Sequence, residues 1–184
     1  LVLMGCSMGG GLAMDFALAH PSRAAALIMV DSGPSGFDLD VPTPEKFAQA
    51  EEAWKAGDLE LVAELETQIW FDGMGRGAAQ TNPRARALAL DMNRRVLAHE
   101  AKKLGKRLAD AETPAIELLA QLKAPLLIVV GEHDLPYLHA AADRMQAELP
   151  SARRVLIRDA AHLPNLDHPE EFQAAVKEFL DEVL

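Results

Sequence analysis

Five residues, Gly5-Cys6-Ser7-Met8-Gly9, constrain this chain more than any other feature. They follow an apolar run, Leu1 to Met4, and lead into a stretch of helical character, Gly9 to Ala19, that is stopped at His20-Pro21. A strand that passes straight into a helix has to turn within one or two residues. Glycines two positions either side of the central residue tolerate that crowding, and the central residue, Ser7, is lifted out of the turn. Gly10 and Gly11 extend the run of small residues and let the helix lie close to the strand. A phosphate-binding loop is the competing reading of such a turn. The spacing G-x-G-x-x-G is absent, however, and no lysine follows as in a Walker motif.

Two further short apolar runs, Ala26 to Val30 and Leu126 to Val130, share with Leu1 to Met4 the pattern of parallel strands covered on both faces. Arg154 to Arg158 is more mixed and reads as a strand nearer an edge. Leu138 to Leu149 and Glu170 to Val183 carry apolar residues at helical spacing. Strand–helix alternation of this kind predicts an α/β fold with a parallel sheet and right-handed crossovers. The alternation breaks between about 37 and 112. After a Pro-containing loop, Val41-Pro42-Thr43-Pro44, the chain reads as helices over Glu45 to Ala56, Leu59 to Trp70 and Pro83 to Leu104, with Gly73, Gly75 and Gly77 between the last two. The expected organisation is core over 1–36, an inserted helical cap over 37–112, and core again over 113–184, which opens with a helix from Thr113 to Leu122. The chain also reads as beginning inside a strand, so the expectation is a sequence trimmed of what precedes Leu1.

Composition excludes some partners. The net charge of −10 weighs against nucleic acid or an anionic membrane surface, both of which attract a basic face. A single cysteine rules out an internal disulfide framework and fits a reducing, cytoplasmic compartment. No apolar run approaches the roughly 20 residues a transmembrane helix needs.

A serine placed like Ser7 becomes a nucleophile only with a base, and the base needs an acid to orient it. The acid candidate is Asp134, in Gly131-Glu132-His133-Asp134 just past the third strand. The base candidate is His162, in Ala160-Ala161-His162-Leu163-Pro164 past the fourth. Carboxyl ends of parallel strands are where open α/β sheets place their ligands. Asp31, at the exit of the second strand, is an alternative acid. The backbone N–H of Met8, at the start of the helix, is a candidate oxyanion donor. Cys6 adjoins Ser7 but points elsewhere, which gives it a packing role. Trp70, Phe71 and Met74, with Trp54 and Met92, line either an apolar pocket or the interior of the helical insertion. Arg84, Arg86, Arg94 and Arg95 are candidates for a substrate carboxylate, against the usual solvated charges of a helix face. No His/Asp/Glu cluster has metal-ligand spacing in the sequence.

The segments Gly5-Cys6-Ser7-Met8-Gly9-Gly10, Leu27-Ile28-Met29-Val30-Asp31, Gly131-Glu132-His133-Asp134, and Ala161-His162 with His168-Pro169-Glu170 resemble the α/β-hydrolase superfamily. The resemblance is to its small esterase-, lactonase- and carbon–carbon-hydrolase-like members with a helical cap, and the chain order Ser, Asp, His is that of the fold. It implies a three-layer α/β-hydrolase fold, present in part, and hydrolysis of a small carboxylic ester or lactone through an acyl-enzyme. Ser7 would attack, His162 shuttle protons and Asp134 fix the imidazole tautomer, with no cofactor and a small ester-like molecule as partner. The same triad in this superfamily also serves C–C bond and thioester hydrolysis, and the same fold serves slow-turnover ligand receptors. Aspartate-nucleophile relatives resemble the chain less, because Ser7 stands where they carry aspartate. Family members have about four strands before the elbow and a loop, often His-Gly-x-Pro, that supplies a second oxyanion donor; the expectation is that these belong to the part trimmed from before Leu1.

Overall fold

The computed structural model describes residues 1–106 and 112–184. Four strands, β1 (Val2–Cys6), β2 (Ala26–Val30), β3 (Leu126–Gly131) and β4 (Arg153–Ile157), pair in chain order into one parallel sheet. Every residue of β2 and β3 is buried, as their unbroken apolar runs predict. Each large aliphatic side chain so covered contributes roughly 1.5–3 kcal/mol. β4 is the edge strand its arginines announce. β1 departs from expectation, because Val2 and Met4 stay exposed at 43% and 57%. Strand side chains alternate between faces. Leu3 therefore packs into the core while Val2 and Met4 point to the other face of the sheet, at the edge opposite β4.

The helices are α1 (Met8–Ala19), α2 (Glu45–Ala56), α3 (Leu59–Thr67), α4 (Pro83–Glu100), α5 (Ala115–Leu118), α6 (Pro136–Glu148), α7 (Pro164–Asp167) and α8 (Pro169–Val183). On one face of the sheet Met14 and Ala17 of α1, Ala115 of α5, and Ala142 and Met145 of α6 close over Leu27, Met29, Leu126, Ile128 and Val130. On the other, Phe172 and Phe179 of α8 pack on Ala26, Ile28, Val30, Leu127 and Val129. Helix, sheet and helix thus make three layers, as the resemblance implies.

The segment between β2 and β3 contains α2 to α5 and no strand among the described residues; positions 107–111, at the end of the 37–112 stretch, lie outside them. Local chemistry sets its helix boundaries. Gly57 takes φ 77° to end α2, Asp58 caps α3 by accepting from Leu61 N at 3.0 Å, and Asn82 caps α4 ahead of Pro83. The helix expected from Leu59 to Trp70 stops at Thr67 and continues as one π-helical turn, Gln68–Asp72. The one expected to run to Leu104 ends at Glu100. That expected from Thr113 to Leu122 is reduced to α5 and a 3-10 turn, Leu119–Gln121. No described helix is long and apolar enough to cross a membrane.

Candidate active site

Because the four strands are parallel, their carboxyl ends share one side of the sheet, and the candidate residues gather there. Ser7 follows β1 with φ 52° and ψ −126°, a conformation an L-residue enters at a cost of about 1–3 kcal/mol. Its N–H donates to Val30 O at 2.9 Å, and its carbonyl accepts from Ser32 Oγ at 2.6 Å and from Gly10 N at 3.0 Å. Those bonds fix the turn from β2 and from α1. Gly5 explains why the turn closes: a Cβ there would lie 2.2 Å from the backbone of Gly9. Ser7 is exposed, and Met8 is 79% exposed. The Met8 N–H, as the first of α1, has no acceptor inside the helix.

Asp134 and His162 are brought together from two different loops. His162 Nδ1 donates to Asp134 Oδ2 at 2.8 Å, and Leu135 N donates to Asp134 Oδ1 at 2.8 Å. Both side chains are buried. Cys6, the residue before Ser7, donates its Sγ to the His162 carbonyl at 3.4 Å, while Ser7 Oγ makes no hydrogen bond to a described residue. Cys6 packs against the α8 side of the core as expected. Burial, and then the carboxyls of Asp31 and Asp134, push its thiol up to about 12.

The helical insertion grips the same two loops. His162 N donates to Trp70 O at 3.0 Å, and the Trp70 ring lies 4.5 Å from the imidazole. Met74 N donates to His133 O at 2.7 Å, and the His133 ring meets Met74 O at 2.9 Å. Gly73, at φ 78°, sits so close that a Cβ would be 2.5 Å from His133 O and 2.6 Å from the Ala161 side chain. Arg76 completes the attachment. Its guanidinium donates to the carbonyls of Phe71 and Asp72 within the insertion, to the Asp159 carbonyl, and to Asp167 Oδ2 at 2.8 Å on α7.

Of the three residues expected to line a pocket, Trp70 stands against His162. Met74 is half-exposed on the outer side of the contact. Phe71 is only 1% exposed, which makes it interior packing with no surface left for a substrate. Three of the four arginines that were candidates for a substrate carboxylate, Arg86, Arg94 and Arg95, have partners of their own. Arg86 bonds Asp72 at 2.8 Å and Glu64 at 2.6 Å, Arg94 bonds Glu60 at 2.7 Å, and Arg95 bonds Asp91 at 2.8 Å. A cleft of about 540 Å³ opens between α2, α3 and α4, lined among others by Phe47, Trp54, Val62 and Leu97. Phe47 meets the Trp70 ring edge-on at 5.4 Å, so two aromatic rings separate the cleft from His162. Metal-ligand spacing is absent from the sequence, but among the described residues folding gathers two sets of potential ligand atoms within 4.8 Å: Asp31, Asp134 and His162 in the interior, and Glu132, His133 and Asp159 near the surface. In the first set His162 Nδ1 and Asp134 Oδ2 already bond each other; in the second Glu132 Oε2 accepts from Asp159 N at 3.0 Å.

Sequence reasoning missed Arg76, Asp167 and the π-helical turn. The one local signal was the alternation Gly73-Met74-Gly75-Arg76-Gly77, whose small residues permit close backbone approach.

Sheet order, elbow and the sequence of residue types along the strand ends define one class, and the chain belongs to it: residues 1–169 match the α/β hydrolase fold family. It is similar to a pimeloyl-[acyl-carrier protein] methyl ester esterase of Aromatoleum aromaticum, 30% identical over 195 residues, covering 96% of this chain and 72% of that protein. It is also similar to a putative 2-succinyl-6-hydroxy-2,4-cyclohexadiene-1-carboxylate synthase of Bacillus subtilis, 28% identical over 185 residues, covering 98% of this chain and 66% of the other. Among solved structures, a thermophilic esterase from Thermogutta terrifontis superposes with a TM-score of 0.67 at 27% identity, over 100% of this chain and 65% of that one. The chain thus spans about two thirds of the length of these relatives.

Proposed function

We propose that this chain carries the reacting residues of a serine hydrolase acting on small carboxylic esters or lactones. The observation that carries the reading is the 2.8 Å bond from His162 Nδ1 to Asp134, on the sheet edge where Ser7 stands in a strained turn. Asp134 holds the imidazole in the tautomer that leaves Nε2 free to accept a proton. His162 takes the Ser7 proton as Oγ attacks the carbonyl carbon, then returns it to the leaving alcohol. Water activated by the same imidazole releases the acid. The Met8 N–H stabilises the developing oxyanion at the positive end of α1. The 37–112 segment serves as a cap, with the Phe47–Trp54 cleft receiving the apolar part of the substrate and the Phe47 and Trp70 rings standing between that cleft and His162. Similarity to an acyl methyl ester esterase supports an acyl chain in that cleft. A second reading, C–C bond or thioester hydrolysis by the same three residues, is favoured by the similarity to a protein named as a synthase and not as an esterase.

The test is covalent labelling by a fluorophosphonate probe, read by mass spectrometry. Labelling confined to Ser7, and lost in both Ser7→Ala and His162→Ala, is the expected result. Labelling that survives His162→Ala at the parent rate would overturn the assignment of the base.

A further inference from the structure

Behind the bond from His162 to Asp134 lies a carboxyl group that the reaction above does not use. Asp31 is fully buried at 0% exposure and takes φ 43°, so the strand exit holds it in place. Its Oδ1 accepts from Gly131 N at 2.8 Å. Its Oδ2 has no partner, alone in this among the buried side-chain polar atoms of the described residues. An unpaired carboxylate in such a place would be severely destabilising. Atoms of Asp31, Asp134 and His162 all lie within 4.8 Å of one another, and two carboxyls sharing one buried site do not both ionise. Hydrogen bonding decides which holds the proton. Both oxygens of Asp134 accept N–H groups, from Leu135 and His162, which favours its charged form. Asp31 has one such donor and one bare oxygen.

We propose that Asp31 is carried as a neutral carboxylic acid whose Oδ2–H donates to Asp134, making the acid of this site a carboxyl–carboxylate pair. The proton converts an orphan acceptor into a satisfied donor and leaves Asp134 as the single negative charge facing the imidazole. Asp31 is a positioning residue: it acts through Asp134, holding that carboxylate toward His162 Nδ1 and spreading part of its charge. The titratable groups that face Asp31 are Cys6 from β1, Asp134 from the loop after β3 and His162 from the loop after β4. The Cys6 thiol is neutral there. Burial first, and the Asp134 carboxylate second, drive the Asp31 carboxyl well above its ordinary range, against the smaller opposing pull of the Gly131 N–H.

This deepens the serine-hydrolase reading, and its catalytic arm rests on that reading. Asparagine imitates the neutral acid, because Oδ1 can accept from Gly131 N and Nδ2 can donate to Asp134, whereas alanine does neither. With p-nitrophenyl butyrate, Asp31→Asn is expected to keep kcat/KM within roughly threefold of the parent, while Asp31→Ala loses roughly 10- to 100-fold. The acidic limb of the kcat/KM profile, set by protonation of the base, should move to higher pH in Asp31→Ala alone, since Asp134 there keeps its whole charge. A second measurement needs no turnover. A group whose folded-state pKa is raised contributes stability below its unfolded value of 3.8 and loses it as pH rises toward the folded value. The urea midpoint of Asp31→Asn should therefore exceed the parent's at pH 7, with the gain vanishing below about pH 4. If asparagine is as damaging as alanine, or gives no gain in midpoint at pH 7, then Asp31 is ionised and the proposal fails. Activity retained by Ser7→Ala would instead strike the serine-hydrolase reading, and the urea series would still decide on Asp31.

Discussion

Arg76→Ala is expected to be among the most damaging single changes outside the sheet, although Arg76 lies about 85 residues from His162 in sequence. Its side chain is 3% exposed and its ion-pair partner Asp167 is 3% exposed, so water reaches neither. Removing the guanidinium leaves a buried carboxylate with no counter-charge, which typically costs about 3–5 kcal/mol. It also releases the carbonyls of Phe71, Asp72 and Asp159. A domain of this size loses about 2–4 °C in melting temperature per kcal/mol, so the expected drop is roughly 6–20 °C. Calorimetry at pH 7 measures it. The double variant Arg76→Met with Asp167→Leu separates the causes. With both charges gone only the three carbonyls are unsatisfied, and the double variant should melt above Arg76→Ala. A loss of under about 1 kcal/mol in Arg76→Ala would refute the reasoning, since exposed pairs are worth that little and the pair would have to be hydrated. A double variant no better than the single would show that the carbonyls, and not the stranded carboxylate, carry the cost.

Two further outcomes follow from close contacts and from charge. Gly73→Ala should lower activity more than its distance from Ser7 suggests, because a side chain there meets the His133 carbonyl and the Ala161 side chain, and φ 78° strains any L-residue; ester hydrolysis at matched stability checks it, and parent-like kcat/KM would contradict it. Cys6 should resist iodoacetamide at pH 8 despite adjoining an exposed serine, its thiol being raised from 9.0 to about 12, above all by burial. Rapid alkylation of the folded chain would contradict that. The sign for stability is the same as for any acid with a raised pKa: Cys6 favours the fold up to about pH 9 and that contribution is lost as pH rises to about 12.

What was legible from the sequence has a common physical form. β2 spans the residues its apolar run predicts, β3 extends that run by one glycine, and α2 begins and ends where its loop and Gly57 dictate, because each rests on chemistry within a few residues. The candidate triad was legible for a related reason. A parallel sheet delivers every strand exit to one side, so a serine, an aspartate and a histidine that follow three different strands can be brought together without knowledge of a single contact. The layer around them follows no such rule. Arg76 meets Asp167 across 91 positions, the Trp70 carbonyl meets His162 N, and Gly73 fits beneath the His133 loop. Each depends on where the helical insertion lands on the sheet edge, and helical periodicity says only which face of a helix is apolar. Periodicity also cannot tell a bond to the fourth residue from one to the fifth, so the π-helical turn that aims the Trp70 carbonyl read as ordinary helix. Asp31 lies between the two cases. Its position at a strand exit made it a rival acid, but a sequence does not show that both oxygens of Asp134 are taken while one oxygen of Asp31 is not. That difference is what turns two competing candidates into a pair, with the charge on one and the proton on the other.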